Sequence, residues 1–114
     1  MQPSKPNAYG VLEPSLREVV ATRGRAFAAV NIALCDDGMY RFGVEMHYAY
    51  GGFTFPISIE GPGYATIDAA RTAAMECLLR SWHTPIPSDP DIVRAELFEM
   101  RQQIEARMRQ PSLF

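Results

Sequence analysis

The side chains able to do chemistry are few and scattered. His47 and His83 are the two histidines, and Cys35 and Cys77 the two cysteines. Neither pair has the CxxC or Cys/His spacing that zinc requires, so no metal site is expected and the cysteines read as small buried hydrophobes. Glu45 lies two residues before His47, and an imidazole beside a carboxylate is the minimal acid/base pair. Two residues apart on a strand, they share one side with Arg41, and the polar positions Asn31, Thr54, Ser58 and Glu60 fall on the same side of neighbouring segments. Arg41, Glu45, His47, Ser58 and Glu60 therefore form a candidate surface on the solvated face of a sheet. No nucleophile elbow accompanies them, and Gly61-Pro62-Gly63 lacks the GxxxxGK[ST] pattern of a phosphate loop. The set is expected to make contacts rather than catalyse. No catalytic residue or cofactor is assigned, and the chain is expected not to be an enzyme.

The elements that position these residues are legible from period and punctuation. Between 39 and 50, Tyr40, Phe42, Val44, Met46, Tyr48 and Tyr50 alternate with polar or small residues, and between 53 and 60 Phe53, Phe55, Ile57 and Ile59 do the same, so each segment predicts a half-buried strand. Gly51-Gly52 predicts a two-residue hairpin loop, with Tyr50 opposite Phe53, Tyr48 opposite Phe55 and Met46 opposite Ile57. A strand over about 26–35 joins through Asp36-Asp37-Gly38, with Gly38 left-handed, placing Leu34, Ile32 and Val30 across from Tyr40, Phe42 and Val44. The aromatic members could stack bases, but they share their face with Val44, Met46, Ile57 and Ile59 and read as core.

Ser15-Leu16-Arg17-Glu18 matches a capping box, predicting a short helix that buries Leu16, Val19 and Val20 and closes at Gly24. A second helix, about 67–81, is expected after a Thr66 cap, with Ile67, Ala70, Ala74, Cys77, Leu78 and Trp82 inward. A third, about 90–109, begins after Asp89 with Pro90 in its first position and carries the stripe Val93, Leu97, Met100, Ile104 and Met108. Its second half is polar enough to predict that it projects or pairs with a second copy. The expected fold is α+β: a three-stranded antiparallel meander with one face covered by helices, in the order α-β-β-β-α-α. Residues 1–11 read as a disordered lead-in, 12–109 as a single domain and 110–114 as a separate binding peptide.

The first five of those elements resemble the α-β-β-β-α layout of double-stranded RNA-binding domains. The phosphate-binding lysines of that family have no counterpart, since the matching stretch offers Arg71 beside Asp68. With 114 residues, one lysine, a net charge of −2 and a pI near 5.6, the chain lacks the basic footprint of direct nucleic-acid binding. Its longest apolar runs, 26–33 and 73–79, fall short of the ~20 residues of a membrane span, and no signal-peptide pattern opens the sequence, so a cytoplasmic location is expected.

The sharpest signal is Gln110-Pro111-Ser112-Leu113-Phe114. It resembles the clamp-binding peptide of bacterial replication and repair proteins, Q-x-[S/D]-L-F, which docks on the sliding clamp of the replicative polymerase. The resemblance implies that Gln110 takes a polar subsite, Ser112 the short middle position, and Leu113 with Phe114 the apolar pocket; Pro111 stands where leucine is more usual. Independently, Pro111 disfavours helix at Gln110, leaving two large apolar side chains on an extended segment. Burying both is worth roughly 3–6 kcal/mol before ordering costs, which suits micromolar binding. The leading expectation is a small bacterial or phage protein that binds the sliding clamp and modulates replication or repair. Two others stand beside it. One is an anti-CRISPR-like inhibitor from a mobile element, binding a host defence protein through acids such as Asp36, Asp37, Glu45 and Glu60. The other is a homodimeric binding module joined through its last helix.

Overall fold

The computed structural model describes residues 1–109. Six strands precede two helices: β1 (Val11–Leu12), β2 (Leu16–Arg23), β3 (Ala26–Leu34), β4 (Tyr40–Tyr48), β5 (Gly51–Phe55), β6 (Ile57–Ser58), α1 (Ile67–Arg80) and α2 (Asp91–Arg109). The chain is α+β, with a four-stranded antiparallel meander in the order β2-β3-β4-β5 and a small β1-β6 ribbon.

The sheet has four strands rather than three, because the expected first helix is β2. Val19, Val20 and Thr22 are β-branched and favour extended backbone, and the open edge of β3 offers a full ladder from Leu16↔Ile32 to Arg23↔Ala26, so tertiary pairing overrides a fortuitous capping box. Gly24, at φ 60, is the first central residue of a Gly24-Arg25 hairpin turn, as a type II′ turn requires.

The β3–β4 register agrees with expectation: Leu34↔Tyr40, Ile32↔Phe42 and Val30↔Val44, with Gly38 at φ 82. The β4–β5 register does not. Met46 faces Phe53 and Val44 faces Phe55, so Ala49-Tyr50 forms the turn and both glycines enter the strand. The slip is by an even number of residues, which keeps the apolar side chains on one face. Gly52 explains it, because a Cβ there would lie 2.0 Å from the Met46 carbonyl oxygen; this glycine serves close backbone approach.

Both helices cover the same face of the sheet. Thr66 caps α1 as expected, its hydroxyl accepting from the Ala69 amide at 3.0 Å. The core joins Val20, Ala28, Val30, Val44 and Met46 from the sheet to Ala74 and Leu78 of α1 and to Val93, Leu97, Met100 and Ile104 of α2. Trp82, 8% exposed, donates its indole N–H to the Leu97 carbonyl and ties the two helices together. The second half of α2 does not project. Ile104 is fully buried, and Gln103 both accepts from the Thr22 amide at 2.9 Å and donates to the Thr22 carbonyl at 2.8 Å. A polar helix end thus closes the edge of β2 with a side-chain amide that imitates a neighbouring strand. At the start of α2, Asp89 does not cap the helix; its carboxylate accepts from the Ile86 amide within the preceding connector.

On the opposite face, Pro56 ends β5 and the chain crosses over Gly43, where a Cβ would lie 2.5 Å from the Phe55 carbonyl oxygen. The β1-β6 ribbon that follows builds a second small core from Leu12, Ala33, Cys35 and Ile57. Residues 1–11, which have no periodicity, still make specific bonds: the Ser4 amide donates to the Leu34 carbonyl, and the Asn7 carboxamide oxygen accepts from the Tyr9 and Val11 amides. Among the described residues, no helix is long and apolar enough to cross a membrane.

Candidate functional site

The ribbon covers only one end of that opposite face. The remainder is open, and ladder partners place Arg17, Val19, Phe27, Asn31, Glu45, His47 and Thr54 together on it. Arg17 donates to Glu45 Oε1 at 2.7 Å, and Asn31 Nδ2 donates to Glu45 Oε2 at 3.1 Å, so both carboxylate oxygens are engaged. The Arg17 guanidinium also lies 5.5 Å from the Phe27 ring centroid, and Phe27 in turn packs against His47 with ring centroids 5.1 Å apart. The hydrogen bond from Arg17 holds the Glu45 carboxyl below its ordinary range, with the Asn31 bond acting in the same sense against the opposing effect of partial burial. An ionised, doubly hydrogen-bonded carboxylate is a poor proton acceptor. What the arrangement offers is fixed charge beside aromatic rings. Asn31 Oδ1, buried and without a hydrogen-bond partner among the described residues, is a local cost of holding Glu45 in place.

The five residues expected to share one surface divide. Glu45 and His47 lie on the open face. Arg41 is turned to a structural task, donating through Nε to the Gly61 carbonyl at 2.9 Å and through both terminal nitrogens to the Asp37 carboxylate at 3.2 and 3.0 Å. That fork lowers the pKa of Asp37 and raises the already high pKa of Arg41. The Ser58 hydroxyl accepts from the Glu60 amide, which places Ser58 on the ribbon and Glu60 in the turn that follows it. The separation follows from the crossing at Pro56: once the strand breaks there, alternation along 53–60 no longer maps onto one sheet face. Residues 110–114, with Gln110, Ser112, Leu113 and Phe114, lie outside the described residues.

Arg17 escaped the sequence reading because the capping box predicts helix where the strand that carries it lies, whereas Phe27 could have been found from alternation along β3, which puts it on the side of Asn31. Glu96 escaped it as well. Only 6% exposed, it accepts from the Ala49 amide at 3.0 Å and closes the β4–β5 turn from α2. Around it, Arg23, Arg25, His47, Tyr48 and Ile92 line a cleft of about 340 Å³ between the hairpin turns and the first turns of α2. His47 thus belongs to both the open face and the cleft. Among the described residues, no three His, Cys, Asp or Glu side chains gather where they could hold a metal ion. In comparisons with known proteins, no family model, curated protein or solved structure matches the chain.

Proposed function

We propose that this chain is a protein-binding module that engages a sliding clamp through residues 110–114, with the open sheet face as a second contact surface. The observation that carries the reading is the sequence Gln110-Pro111-Ser112-Leu113-Phe114 directly after a helix whose apolar stripe is already buried in its own domain. With Val93, Leu97, Met100 and Ile104 in the core, α2 is a fixed mount, and a short peptide on a fixed mount loses less entropy on docking than one on a free chain. The polar and aromatic make-up of the open face suits a partner contact better than proton transfer, because the Glu45 carboxylate is neutralised within the face itself.

The test is binding of the intact chain to a purified bacterial sliding clamp, beside a version ending at Gln110. Micromolar binding that disappears with residues 111–114, while the thermal midpoint stays unchanged, is the expected result. Failure of the intact chain to bind at concentrations well above micromolar would overturn the proposal.

A further inference from the structure

The two edges of the four-stranded sheet are treated differently. The β2 edge carries Arg17, Glu18 and Arg23, has a register irregularity between Val19 and Ala21, and is closed at Thr22 by Gln103. Charges, bulges and covering groups are the usual means of keeping a sheet edge from pairing with another chain. Among the described residues, the β5 edge has none of these, only the shortness of β5 and the Pro56 that ends it. Residues 48–59 contain no charged side chain, and β5 itself reads Gly-Gly-Phe-Thr-Phe. Phe55 of this strand is 43% exposed and stacked on Phe53 at a ring-centroid distance of 5.1 Å, and Tyr50 in the preceding turn is 65% exposed. Helix α1 packs on β4 and β3, and α2 packs chiefly on β2, so the helical layer stops short of this edge.

We propose that the β5 edge is a self-association surface, and that its occupant is the β5 strand of a second copy, paired antiparallel about a two-fold axis at Thr54. An isologous pair brings each position against its counterpart, so an uncharged strand can meet itself without opposing like charges. The Thr54-centred register sets Phe53 opposite Phe55 of the second copy and Phe55 opposite Phe53, joining the two stacked pairs into one cluster on the helix-bearing face. The alternative centred on Phe53 would place each Phe55 against a glycine, Gly51, and leave half of that contact unmade. Pro56 limits the ladder to the five residues of β5, so the association is weak, in the range of tens of micromolar. The dimer is an eight-stranded sheet with both helical layers on one side. Because α2 covers β2, the two α2 helices lie at its outer edges, away from the junction. The pairing uses none of residues 110–114, so it and clamp binding can each fail without the other.

Sedimentation velocity of the full chain from about 5 to 500 μM is the first test, with a monomer–dimer transition expected inside that range. Thr54→Lys sets like charges opposite each other and is expected to raise the dissociation constant at least tenfold, whereas Thr22→Lys at the guarded edge leaves it unchanged. If Thr54→Lys fails to fold, Phe55→Glu serves the same purpose from the other face of the strand. Thr54→Cys in a Cys77→Ser background should form a disulfide-linked dimer on mild oxidation, which only the Thr54-centred register permits. A chain that stays monomeric throughout the range, or a dimer indifferent to both Thr54→Lys and Phe55→Glu, would overturn the proposal.

Discussion

Glu45 shows how neighbours decide the role of a residue. Sequence alone places it two positions from His47 and suggests an acid/base pair; the structure gives its oxygens to Arg17 and Asn31 instead. Because Arg17 depresses the folded pKa of Glu45 below its ordinary value of 4.5, the interaction contributes fully above that value and is lost as pH falls through the depressed one. Glu45→Gln should therefore cost about 1 kcal/mol at neutral pH, a modest figure because Arg17 is nearly half exposed. The gap between the two proteins should narrow in urea titrations as pH falls below 4.5. Glu18 is a second case. Expected to reach back to Ser15 in a capping box, it instead receives Arg71 of α1 at 2.7 Å and Arg107 of α2 at 3.2 Å, linking the edge strand to both helices.

At the scale of elements, two contacts make a strand what it is. Gln103 satisfies both backbone groups of Thr22, so Gln103→Ala should destabilise by about 1–2 kcal/mol and speed amide exchange at Thr22 above that of its neighbours. The crossing of 55–57 over Gly43 leaves no room for a methyl group, with the Phe55 carbonyl oxygen 2.5 Å and the Ile57 amide 2.9 Å from the position of a Cβ. Gly43→Ala should cost about 1–3 kcal/mol by overpacking and loosen the β1-β6 ribbon before the main sheet. Amide exchange at Ile59, which donates to the Gly10 carbonyl beside the ribbon, reads this directly. If that amide stays as protected as in the parent, the crossing is not what holds the ribbon down.

At the scale of the molecule, the sheet is a shared wall between a helical core and a smaller ribbon core. This arrangement accounts for the polar second half of α2: it needs only Ile104 and the half-buried Met108 on its inner side because a strand edge, not a second helix, is its main neighbour. Ile104→Ala should cost about 2–5 kcal/mol in denaturant unfolding. A projecting or dimeric helix end would show almost no loss at high dilution. Emission from Trp82, held under α2 by its bond to Leu97, should report the same transition.

Much of the fold follows from local pattern. The β3–β4 hairpin, the Thr66 cap, the inner face of α1 and the stripe of α2 depend on residues close in sequence: period, turn glycines and caps. The sequence also determined the asymmetry in charge between the two sheet edges and the peptide that follows Arg109. Tertiary structure decided what depends on distant partners. Whether 16–23 is helix or strand rests on the open edge of β3, since the segment has weak preferences for both states. The β4–β5 register rests on backbone contact at Gly52, a distance that hydrophobic alternation cannot sense because an even slip preserves it. The composition of the open face rests on two distant contacts: the crossing at Gly43 takes Ser58 and Glu60 away from Glu45 and His47, and the pairing of β2 with β3 brings Arg17 in beside Phe27. In each case the deciding interaction joins atoms distant along the chain, and only the folded chain brings them within range.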